Sequence, residues 1–372
     1  MVAASVRCAD VEGGDLERRR ARSSGGNARR GRRADGMTGT GENVASDDVA
    51  SARTVAVVIP TFNAAERIAV ALDSVMRQTS QPAQVIVVDD GSTDATSDVV
   101  ARYAGCVRCI RQGNAGPAAA RNTGISAASA DWIAFLDDDD TWEERRLELS
   151  LDLLRANTDL MWCATAYTRM GAAGSVPSLA PLPSGPARLP FFAAALARTP
   201  ICTPGMMVRR DVLREAGGFC TDLRLGEDID LWIRIAVRYP TLGFVWTPCV
   251  RVGSRAGSIT GSAGEHTDSM LFFVRRQLAV YRQQDDETKA MFLPLLQHYA
   301  GELTAHALSY GRKDVLVEFT AEGQWLLRPK ERFAIRAAHW VPGSWLKAAG
   351  ATRRRWRGAA GRRDVATHKG HG

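Results

Sequence analysis

Four consecutive carboxylates, Asp137 to Asp140, directly follow the apolar segment Trp132-Ile-Ala-Phe-Leu136. An apolar run of this length, rich in aromatic and β-branched residues, is typical of a buried strand. Adjacent negative charges repel one another at low dielectric, and a divalent cation is the simplest compensation, because hard cations bind carboxylate oxygens and bridge them to phosphates. Side chains alternate along an extended segment, so Asp137 and Asp139 can face one site. The alternative is a solvated acidic turn that caps the helix expected near Trp142.

Polar residues also follow two earlier apolar segments that have the composition of buried strands. Residues 55–59 run into Pro60-Thr-Phe-Asn63, and residues 84–88 run into Asp89-Asp-Gly-Ser-Thr-Asp94. Strands that alternate with helices and are apolar on both faces predict a parallel α/β sheet. In such sheets ligands bind beyond the carboxyl ends of the strands. The three polar clusters are therefore expected to meet at one edge and to form a site there.

The remaining elements are predicted from apolar spacing and capping residues. A helix over about 64–78 is expected to begin with a capping box made by Asn63 and Glu66. Further predicted elements are a helix up to Tyr103, a strand over 107–111, a helix over 118–130, a strand over 206–209 and a helix over 211–216. The Pro- and Gly-rich segment 171–190 is interpreted as a long loop over the polar edge of the sheet.

A second group of carboxylates occurs in Gly226-Glu-Asp-Ile-Asp-Leu-Trp-Ile-Arg-Ile235. The apolar spacing of this segment predicts a helix that carries Glu227 and Asp228 in its first turn. Carboxylates at this position stabilise the helix dipole, which is a purely structural explanation for the pair.

Six segments together resemble the family 2 inverting glycosyltransferases, which have the GT-A nucleotide-sugar fold. In the order and spacing of the family they are Val57 to Asn63, Val87 to Asp94, Asn114 to Pro117 with Ala120-Arg-Asn122, Phe135 to Asp140, Gly217-Gly-Phe219 and Gly226 to Arg234. Cys220 stands where the family usually has Asp. The likeness covers roughly residues 54–262 and implies an α/β fold of the GT-A type, with a mixed, mainly parallel sheet and flanking helices. Helical spacing from about Ser269 onward adds a helical C-terminal extension.

The resemblance implies a nucleotide pocket at the ends of the first two strands. Pro60, Thr61 and Asn63 would line it, and Asp90 would accept a hydrogen bond from the base, typically uracil. Asp89 is a secondary candidate beside it. A turn closed by an Asx-type hydrogen bond is the structural explanation for this aspartate pair.

The resemblance also makes Asp137-Asp138-Asp139 the Asp-x-Asp motif of the family. Asp139 would hold Mg²⁺ or Mn²⁺ against both phosphates, while Asp137 or Asp138 would steady the ribose and the metal shell. Asp140 is interpreted as a helix cap. Arg121 would approach the diphosphate or the base, unless it is an ordinary arginine on a helix surface.

Asp228 matches the general base of the family, and Glu227 its neighbour. A base opposite the leaving nucleotide takes the proton of the acceptor hydroxyl as that oxygen attacks the anomeric carbon, and such help is worth about 10²–10⁴-fold. Trp232 is a secondary candidate in the same segment. The family often has an Arg-x-His element after the base, whereas this chain has no His there, so Arg251 or Arg255 would contact the diphosphate instead.

Composition divides the chain into four parts. Residues 1–52 are polar and predicted to be disordered, with Met37 as a candidate true start; 53–262 form the predicted catalytic domain, 263–348 a helical region and 349–372 a basic, disordered tail. Basic and acidic residues cancel over 53–350, so nucleic-acid binding by the folded part is not expected. The seven cysteines are scattered, and no apolar signal or membrane-spanning run is present, which predicts reduced thiols and a cytoplasmic protein.

The C-terminal region contains a pattern with two interpretations. Residues 331–347 place Phe333, Ala337, Trp340 and Val341 on one face of a predicted helix, next to the arginine-rich tail. A Trp-containing amphipathic helix beside basic residues is typical of peripheral binding to an anionic membrane. Such binding at the inner face of the cell membrane would suit a glycan or lipid-linked acceptor. In the alternative, the helix packs on the catalytic domain.

The expected function is the metal-dependent, inverting transfer of a sugar from a nucleotide-diphosphate sugar, typically a UDP-sugar, to an acceptor hydroxyl. The product would belong to a cell-envelope polysaccharide, a glycolipid or another glycoconjugate. Two other classes remain open. One is a nucleotidyltransferase of related fold, although its Gly-rich first loop is missing at Pro60–Asn63. The other is a non-catalytic nucleotide-sugar-binding protein, against which the presence of Asp137–Asp139 and Asp228 argues.

Overall fold

A single sheet is the centre of the fold in the computed structural model, which describes residues 53–171, 174–176, 185–253 and 263–348. Its strands are β1 Val55–Thr61, β2 Gln84–Asp89, β3 Arg108–Arg111, β4 Trp132–Phe135, β5 Thr141–Trp142, β6 Trp162–Gly171, β7 Gly174–Val176, β8 Pro186–Pro190, β9 Met206–Arg209 and β10 Thr241–Val252. They are arranged in the order β3-β2-β1-β4-β9-β6-β10-β5, while β7 pairs with β6 and β8 with β10.

Helices connect the strands and then form the C-terminal region. They are α1 Ile68–Met76, α2 Thr96–Ala101, α3 Pro117–Ala127, α4 Arg146–Ala156, α5 Phe191–Leu196, α6 Arg210–Glu215, α7 Glu227–Ala236, α8 Ala263–Arg282, α9 Asp286–Tyr310, α10 Lys313–Gly323 and α11 Pro329–His339. Short 3₁₀ turns occur at Thr203–Gly205 and Gln324–Leu326. None of the helices in the described ranges is both long enough and apolar enough to cross a membrane.

The two halves of the sheet differ in strand direction. β3, β2, β1 and β4 all run parallel, as their alternation with helices predicts. β9 is antiparallel to β4 and β6, while β10 is parallel to β6 and antiparallel to β5 and β8. The mixed, mainly parallel α/β sheet implied by the resemblance is therefore confirmed. Because β2, β1 and β4 are parallel neighbours, their carboxyl ends lie at one edge.

Successive residues of β1 enter two hydrophobic cores, one on each face of the sheet. Ala56 and Val58 belong to the core that also contains residues of α3, α7 and the C-terminal helices. Val57 and Ile59 belong to the core that contains residues of α1 and α4. At Gly124 of α3 a Cβ atom would clash with the side chain of Val58, so glycine allows this helix to approach the sheet closely.

The helical C-terminal region packs on the rest of the chain. Phe192 of α5 stacks on Phe292 of α9 with ring centroids 5.0 Å apart. Arg276 of α8 forms an ion pair with Asp230 of α7 at 2.6 Å. The boundary predicted after residue 262 lies outside the described residues, and so do the predicted disordered segment 1–52 and basic tail 349–372.

The start of α1 differs from the prediction. The helix begins at Ile68, and its N-cap residue, Arg67, makes no side-chain capping bond. Asn63 instead adopts a φ of 46°, and its Oδ1 accepts a hydrogen bond from the backbone N–H of Thr93 at 2.8 Å. The predicted capping box is wrong because the Asn63 side chain ties the loop after β1 to the loop after β2.

Three other expectations need correction. The loop interpretation of residues 171–190 is wrong for Gly174–Val176, which pairs with β6, and for Pro186–Pro190, which pairs with β10. The helix predicted to run to Lys347 ends at His339, shortly before Pro342, which has no N–H to continue it. Reduced thiols are found at Cys109, Cys163, Cys202, Cys220 and Cys249, but Cys106 is in a disulfide bond.

Candidate active site

Asp138 ties the end of β4 to the loop after β1. Its Oδ2 accepts a hydrogen bond from Thr61 Oγ1 at 2.9 Å and one from the backbone N–H of Phe62 at 3.3 Å. The guanidinium of Arg67 binds its Oδ1 at 2.8 Å. Both oxygens of this buried carboxylate are thus bound within the protein, in a contact that joins residues more than 70 positions apart. Sequence reasoning missed Arg67, because no local pattern distinguishes it from a surface arginine.

Arg121 joins the two acidic groups of the chain. It is buried on α3; its Nη2 binds Asp137 Oδ1 at 2.7 Å and its Nη1 binds Glu227 Oε1 at 3.2 Å. The guanidinium also lies over the ring of Phe219, 5.3 Å from its centroid. Burial alone would lower the pKa of Arg121, but Asp137, Glu227 and Asp228 raise it above its usual value. One guanidinium therefore binds both the acidic segment that follows β4 and the first turn of α7. The interpretation of Arg121 as an arginine on a helix surface is wrong.

Asp140 connects the acidic segment to the end of β10. Its Oδ1 accepts a hydrogen bond from the backbone N–H of Gly253 at 2.8 Å, and a Cβ at Gly253 would clash with the carbonyl of Asp139. The helix-cap interpretation of Asp140 is wrong, since α4 begins only at Arg146. Burial, followed by the negative charge of Asp137, raises the pKa of Asp140 to about 8. Burial and the neighbouring carboxylates therefore favour the protonated form of this carboxyl.

The four aspartates are thus compensated in part by the protein itself. Arg67 binds Asp138, Arg121 binds Asp137, and burial with the neighbouring charges raises the pKa of Asp140. Charge repulsion alone is consequently a weaker argument for a cation than the sequence suggested. The described residues contain no cluster of three or more His, Cys, Asp or Glu side chains arranged to hold a metal.

The donor set nevertheless fits a cation that shares its ligands with a diphosphate. Mg²⁺ is usually bound through one or two carboxylates and completes its shell with phosphate oxygens and water. Arg121 binds Asp137 through Oδ1 only, which leaves Oδ2 for another ligand, and the side chain is 28% exposed. Asp139, two residues on, is half-buried at the same strand end.

Asp228 lies half-buried in the first turn of α7, beside the Arg121 bridge. Its Oδ2 accepts a hydrogen bond from Thr203 Oγ1 at 3.0 Å. Burial and then repulsion from Asp228 raise the pKa of Glu227, while Arg121 partly offsets this shift. Burial and then the charge of Asp228 also raise the pKa of Tyr299, which places α9 against this side of the site.

Hydrogen bonds from two buried side chains hold the Thr203–Gly205 turn, whose Thr203 hydroxyl donates to Asp228. Trp142 Nε1 donates to the carbonyl of Pro204 at 2.8 Å, and Arg146 Nη2 donates to the carbonyls of Gly205 at 3.0 Å and Met206 at 2.7 Å. Arg146 is completely buried beneath the ring of Trp142, and burial lowers its pKa to about 10. Sequence reasoning missed this support, because a buried arginine cannot be told from a surface arginine by local spacing.

Asp230, the third acid of the second group, anchors α7. It is completely buried and binds Arg234 at 2.7 Å, Arg276 at 2.6 Å and Gln277 Nε2 at 2.7 Å. The i,i+4 spacing of Asp230 and Arg234 is a sequence pattern that predicts this ion pair. No local sequence pattern predicts the partners on α8. The prediction of Trp232 as a site residue is corrected, since its ring is buried in the core against Phe219.

Two further motif segments form one structural unit. Asn122 Nδ2 donates to the carbonyl of Phe219, and Asn122 Oδ1 accepts from the N–H of Phe219, both at 2.8 Å. Gly218 has a φ of 68°, and a Cβ there would clash with Asn122 Oδ1. The glycine is required by this close approach, which fixes the Phe219 ring beneath Arg121.

The residues predicted to line a nucleotide pocket lie at the ends of β1 and β2. Pro60 and Thr61 are buried β1 residues paired with β2. Asp90 accepts hydrogen bonds from Gln112 Nε2 at 2.8 Å and from the N–H groups of Ala115 at 2.9 Å and Gly116 at 2.7 Å. It therefore orders the loop that leads into α3. Its two oxygens accept three hydrogen bonds, and the carboxylate can accept one more.

Asp89 has the structural role that the turn interpretation gave it. It is completely buried, and its carboxylate accepts from the N–H of Ser92 at 2.8 Å, from Ser97 Oγ at 2.7 Å and from Arg111 at 2.6 Å. Burial would raise the pKa of Asp89, but the hydrogen bonds and Arg111 outweigh it and lower the pKa.

Arg251 lies at the rim of the site. It is opposite Thr141 in the β10–β5 pair, next to Asp140, and its Nε binds Glu143 at 2.5 Å. Its side chain is 55% exposed. Arg255 lies outside the described residues.

Residues 56–217 match the family Glycosyl transferase family 2. The chain is 33% identical over 186 residues to an uncharacterized glycosyltransferase of Rickettsia bellii, covering 50% of this chain and 26% of the relative. It is 34% identical over 118 residues to the putative teichuronic acid biosynthesis glycosyltransferase TuaG of Bacillus subtilis, covering 31% of this chain and 45% of the relative. The matches span about a quarter to a third of the Rickettsia relatives.

Solved structures show the same fold. The S. aureus TarS structure superposes with a TM-score of 0.59 at 17% identity, over 80% of this chain and 55% of TarS. TarS 1–349 in complex with UDP-GlcNAc superposes with a TM-score of 0.54 at 18% identity, over 77% of this chain and 79% of that one.

Proposed function

We propose that this chain transfers a sugar from a UDP-sugar to a hydroxyl of a glycan or lipid-linked acceptor, with inversion and with Mg²⁺ or Mn²⁺. The observation that carries the proposal is the Arg121 bridge, which brings the acidic end of β4 and the first turn of α7 together. A donor bound at the strand ends would then lie beside Asp228. The TarS complex with UDP-GlcNAc supports a uridine nucleotide.

In this proposal Asp228 is the general base. It is half-buried and held by Thr203 Oγ1 through Oδ2, so its orientation is fixed before the acceptor arrives. As the acceptor oxygen attacks the anomeric carbon, the carboxylate takes the hydroxyl proton and the bond to the diphosphate breaks. A single in-line displacement of this kind inverts the anomeric centre.

Asp137 and Asp139 would hold the cation, which neutralises charge on the departing diphosphate when it is bound. Asp138 would not be a ligand of the cation, because Arg67, Thr61 and Phe62 already bind its oxygens. Arg121 forms ion pairs with both Asp137 and Glu227. Its positive charge offsets the repulsion between the two carboxylates, so that both can lie near Asp228.

The proposal extends to envelope polysaccharide synthesis in the cytoplasm. It is supported by the likeness to a putative teichuronic acid biosynthesis enzyme.

A donor panel tests the proposed activity. UDP-, GDP- and dTDP-sugars are incubated with the full chain and Mn²⁺, and release of nucleoside diphosphate is measured by coupled assay. We expect release from at least one donor, strongest with UDP-sugars, and its loss on chelation. The variant Asp152→Asn, at an exposed acid of α4, is the matched control and should match the wild type. Donor binding without release would identify a non-catalytic module instead.

A further inference from the structure

α11 presents large aromatic residues to solvent. The three most exposed large apolar side chains of the described residues are Phe333 at 72%, Trp340 at 87% and Trp345 at 71%. Phe333 and Trp340 are seven positions apart, so they lie on the same side of the helix, two turns from each other. Arg336 and Ala337 lie between them and are exposed as well. These four residues, Phe333, Arg336, Ala337 and Trp340, form what we call the outer face of α11.

The opposite side of α11 holds the helix in the fold. Ala338 is 4% exposed, and Ile335 packs against the main hydrophobic core. At its start, Arg332 donates to the carbonyls of Leu327 at 2.9 Å and Trp325 at 3.3 Å. The helix is therefore anchored through small and aliphatic residues, and its two aromatic rings contribute little to this packing.

Positive charge surrounds the outer face. Segment 328–347 contains five Lys or Arg residues and a single acid, Glu331. Glu331 accepts a hydrogen bond from the backbone N–H of Arg328 at 2.8 Å. Within the described residues, neither Lys330 nor Arg336 forms an ion pair. The sequence then continues with six arginines between positions 353 and 363.

An apolar groove with a basic rim adjoins the outer face. Its volume is about 620 Å³, and Val317, Leu327 and Ile335 line it together with Arg336 and Trp340. Val317 is 63% exposed at its mouth. Lysine is depleted in protein–protein interfaces, whereas exposed Trp and Phe beside unpaired Lys and Arg are typical of helices that lie in the headgroup region of a bilayer.

We propose that the outer face of α11 docks on an anionic lipid surface. Phe333 and Trp340 would enter the headgroup region, while Lys330 and Arg336 would contact lipid phosphates. The charge of the segment supplies attraction to the surface, and the two rings supply apolar burial. This inference does not depend on the proposed sugar transfer.

Vesicle co-sedimentation tests the docking. The full chain is mixed with vesicles of phosphatidylcholine containing 40% phosphatidylglycerol, or of phosphatidylcholine alone, at low and high salt. We expect binding to the anionic vesicles that weakens with salt. The double variant Phe333→Ser/Trp340→Ser should lower the partition coefficient at least tenfold, and Arg336→Glu should lower it severalfold. Val70→Ser, at a 54% exposed residue of α1, is the matched control and should bind like the wild type.

Two further arms distinguish other occupants of the surface. Exchanging the six arginines of 353–363 for glutamine in the full chain separates the tail from the helix. If that exchange abolishes binding while Phe333→Ser/Trp340→Ser leaves it unchanged, the proposal is wrong. It is equally wrong if the double variant converts a dimer to a monomer in sedimentation velocity without altering vesicle binding, because the face would then be a subunit interface. Release of nucleoside diphosphate in solution by the double variant should equal that of the wild type.

Discussion

The carboxylates after β4 and those at the start of α7 come from distant parts of the sequence but are organised alike. In each group one acid is buried and bound by basic side chains, Asp138 by Arg67 and Asp230 by Arg234 and Arg276. A second acid of each group, Asp137 or Glu227, binds Arg121. A third, Asp139 or Asp228, is half-buried at the strand end or the first helical turn.

This parallel shows that neighbouring carboxylates divide their roles through their partners. One acid stabilises the fold, one joins the two groups, and the third is the one to which the proposed function gives a chemical role. The assignment depends on arginines far away in sequence, and the expected effects of substitution differ accordingly in kind as well as in size.

The largest effect is expected at Asp228, the proposed general base at the start of α7. Asp228→Asn should lower kcat by about 10²–10⁴-fold, because the acceptor hydroxyl loses its general base. Donor affinity should stay within about twofold of the wild type, since Asp228 does not hold the donor. Initial-rate assays of nucleotide release, with calorimetry of donor binding, check both parts. Turnover like that of the wild type would remove Asp228 as the base.

The structural member of the same group should behave differently. Asp230→Ala leaves Arg234 and Arg276 without their buried partner, and breaking such a buried pair costs about 3–5 kcal/mol. Urea unfolding followed by circular dichroism measures the loss, with Asp228→Asn as the comparison variant. Equal stability of the two variants would contradict the division of roles within α7.

The aspartate pair at the end of β2 extends the comparison to a group to which no proton transfer or metal binding is assigned. Because the folded-state pKa of Asp89 is lowered, its contribution is fully present above the unfolded pKa, about 3.9, and is lost as pH falls through the folded value. At pH 7 Asp89→Asn should cost about 1.5–3 kcal/mol, the value of hydrogen bonds to a charged group. Unfolding at pH 7, 5 and 3 should show the difference between variant and wild type shrinking at the lowest pH. A constant difference would show that ionisation of Asp89 is not involved.

The smallest effect is expected at Thr203, which acts through Asp228. Thr203→Val removes one hydrogen bond of about 1–1.5 kcal/mol, which corresponds to roughly tenfold in kcat. Thr203→Ser should restore most of the rate, and KM for the donor should not change. A loss confined to KM, or no rescue by Ser, would show that Thr203 has another role.

The sequence predicted the parallel half of the sheet and the polar edge because strand composition and strand–helix alternation are local signals. Asp137 and Asp228 were placed correctly at the end of β4 and the start of α7. The partners were not predictable. Arg67 and Arg146 resemble surface arginines in sequence, and only the fold brings them to buried carboxylates and carbonyls.

In the C-terminal region the helices could be predicted from the sequence, but the direction of their apolar faces could not. Its helices follow apolar spacing, but the spacing alone does not say which face points inward. On α11 Phe333 and Trp340 face solvent, while Ile335 and Ala338 pack inward. The hydrophobic pattern was detected, but its direction was set by the fit of small residues against α9 and α10.

Calorimetric titration of a UDP-sugar with and without Mn²⁺ tests the central claim most directly, namely that both acidic groups border one cleft and serve different steps. With the donor chosen from the panel, Asp139→Asn should lose the Mn²⁺-dependent part of binding, whereas Asp228→Asn should bind like the wild type and fail to turn over. Loss of binding in both variants, or in neither, would contradict the account.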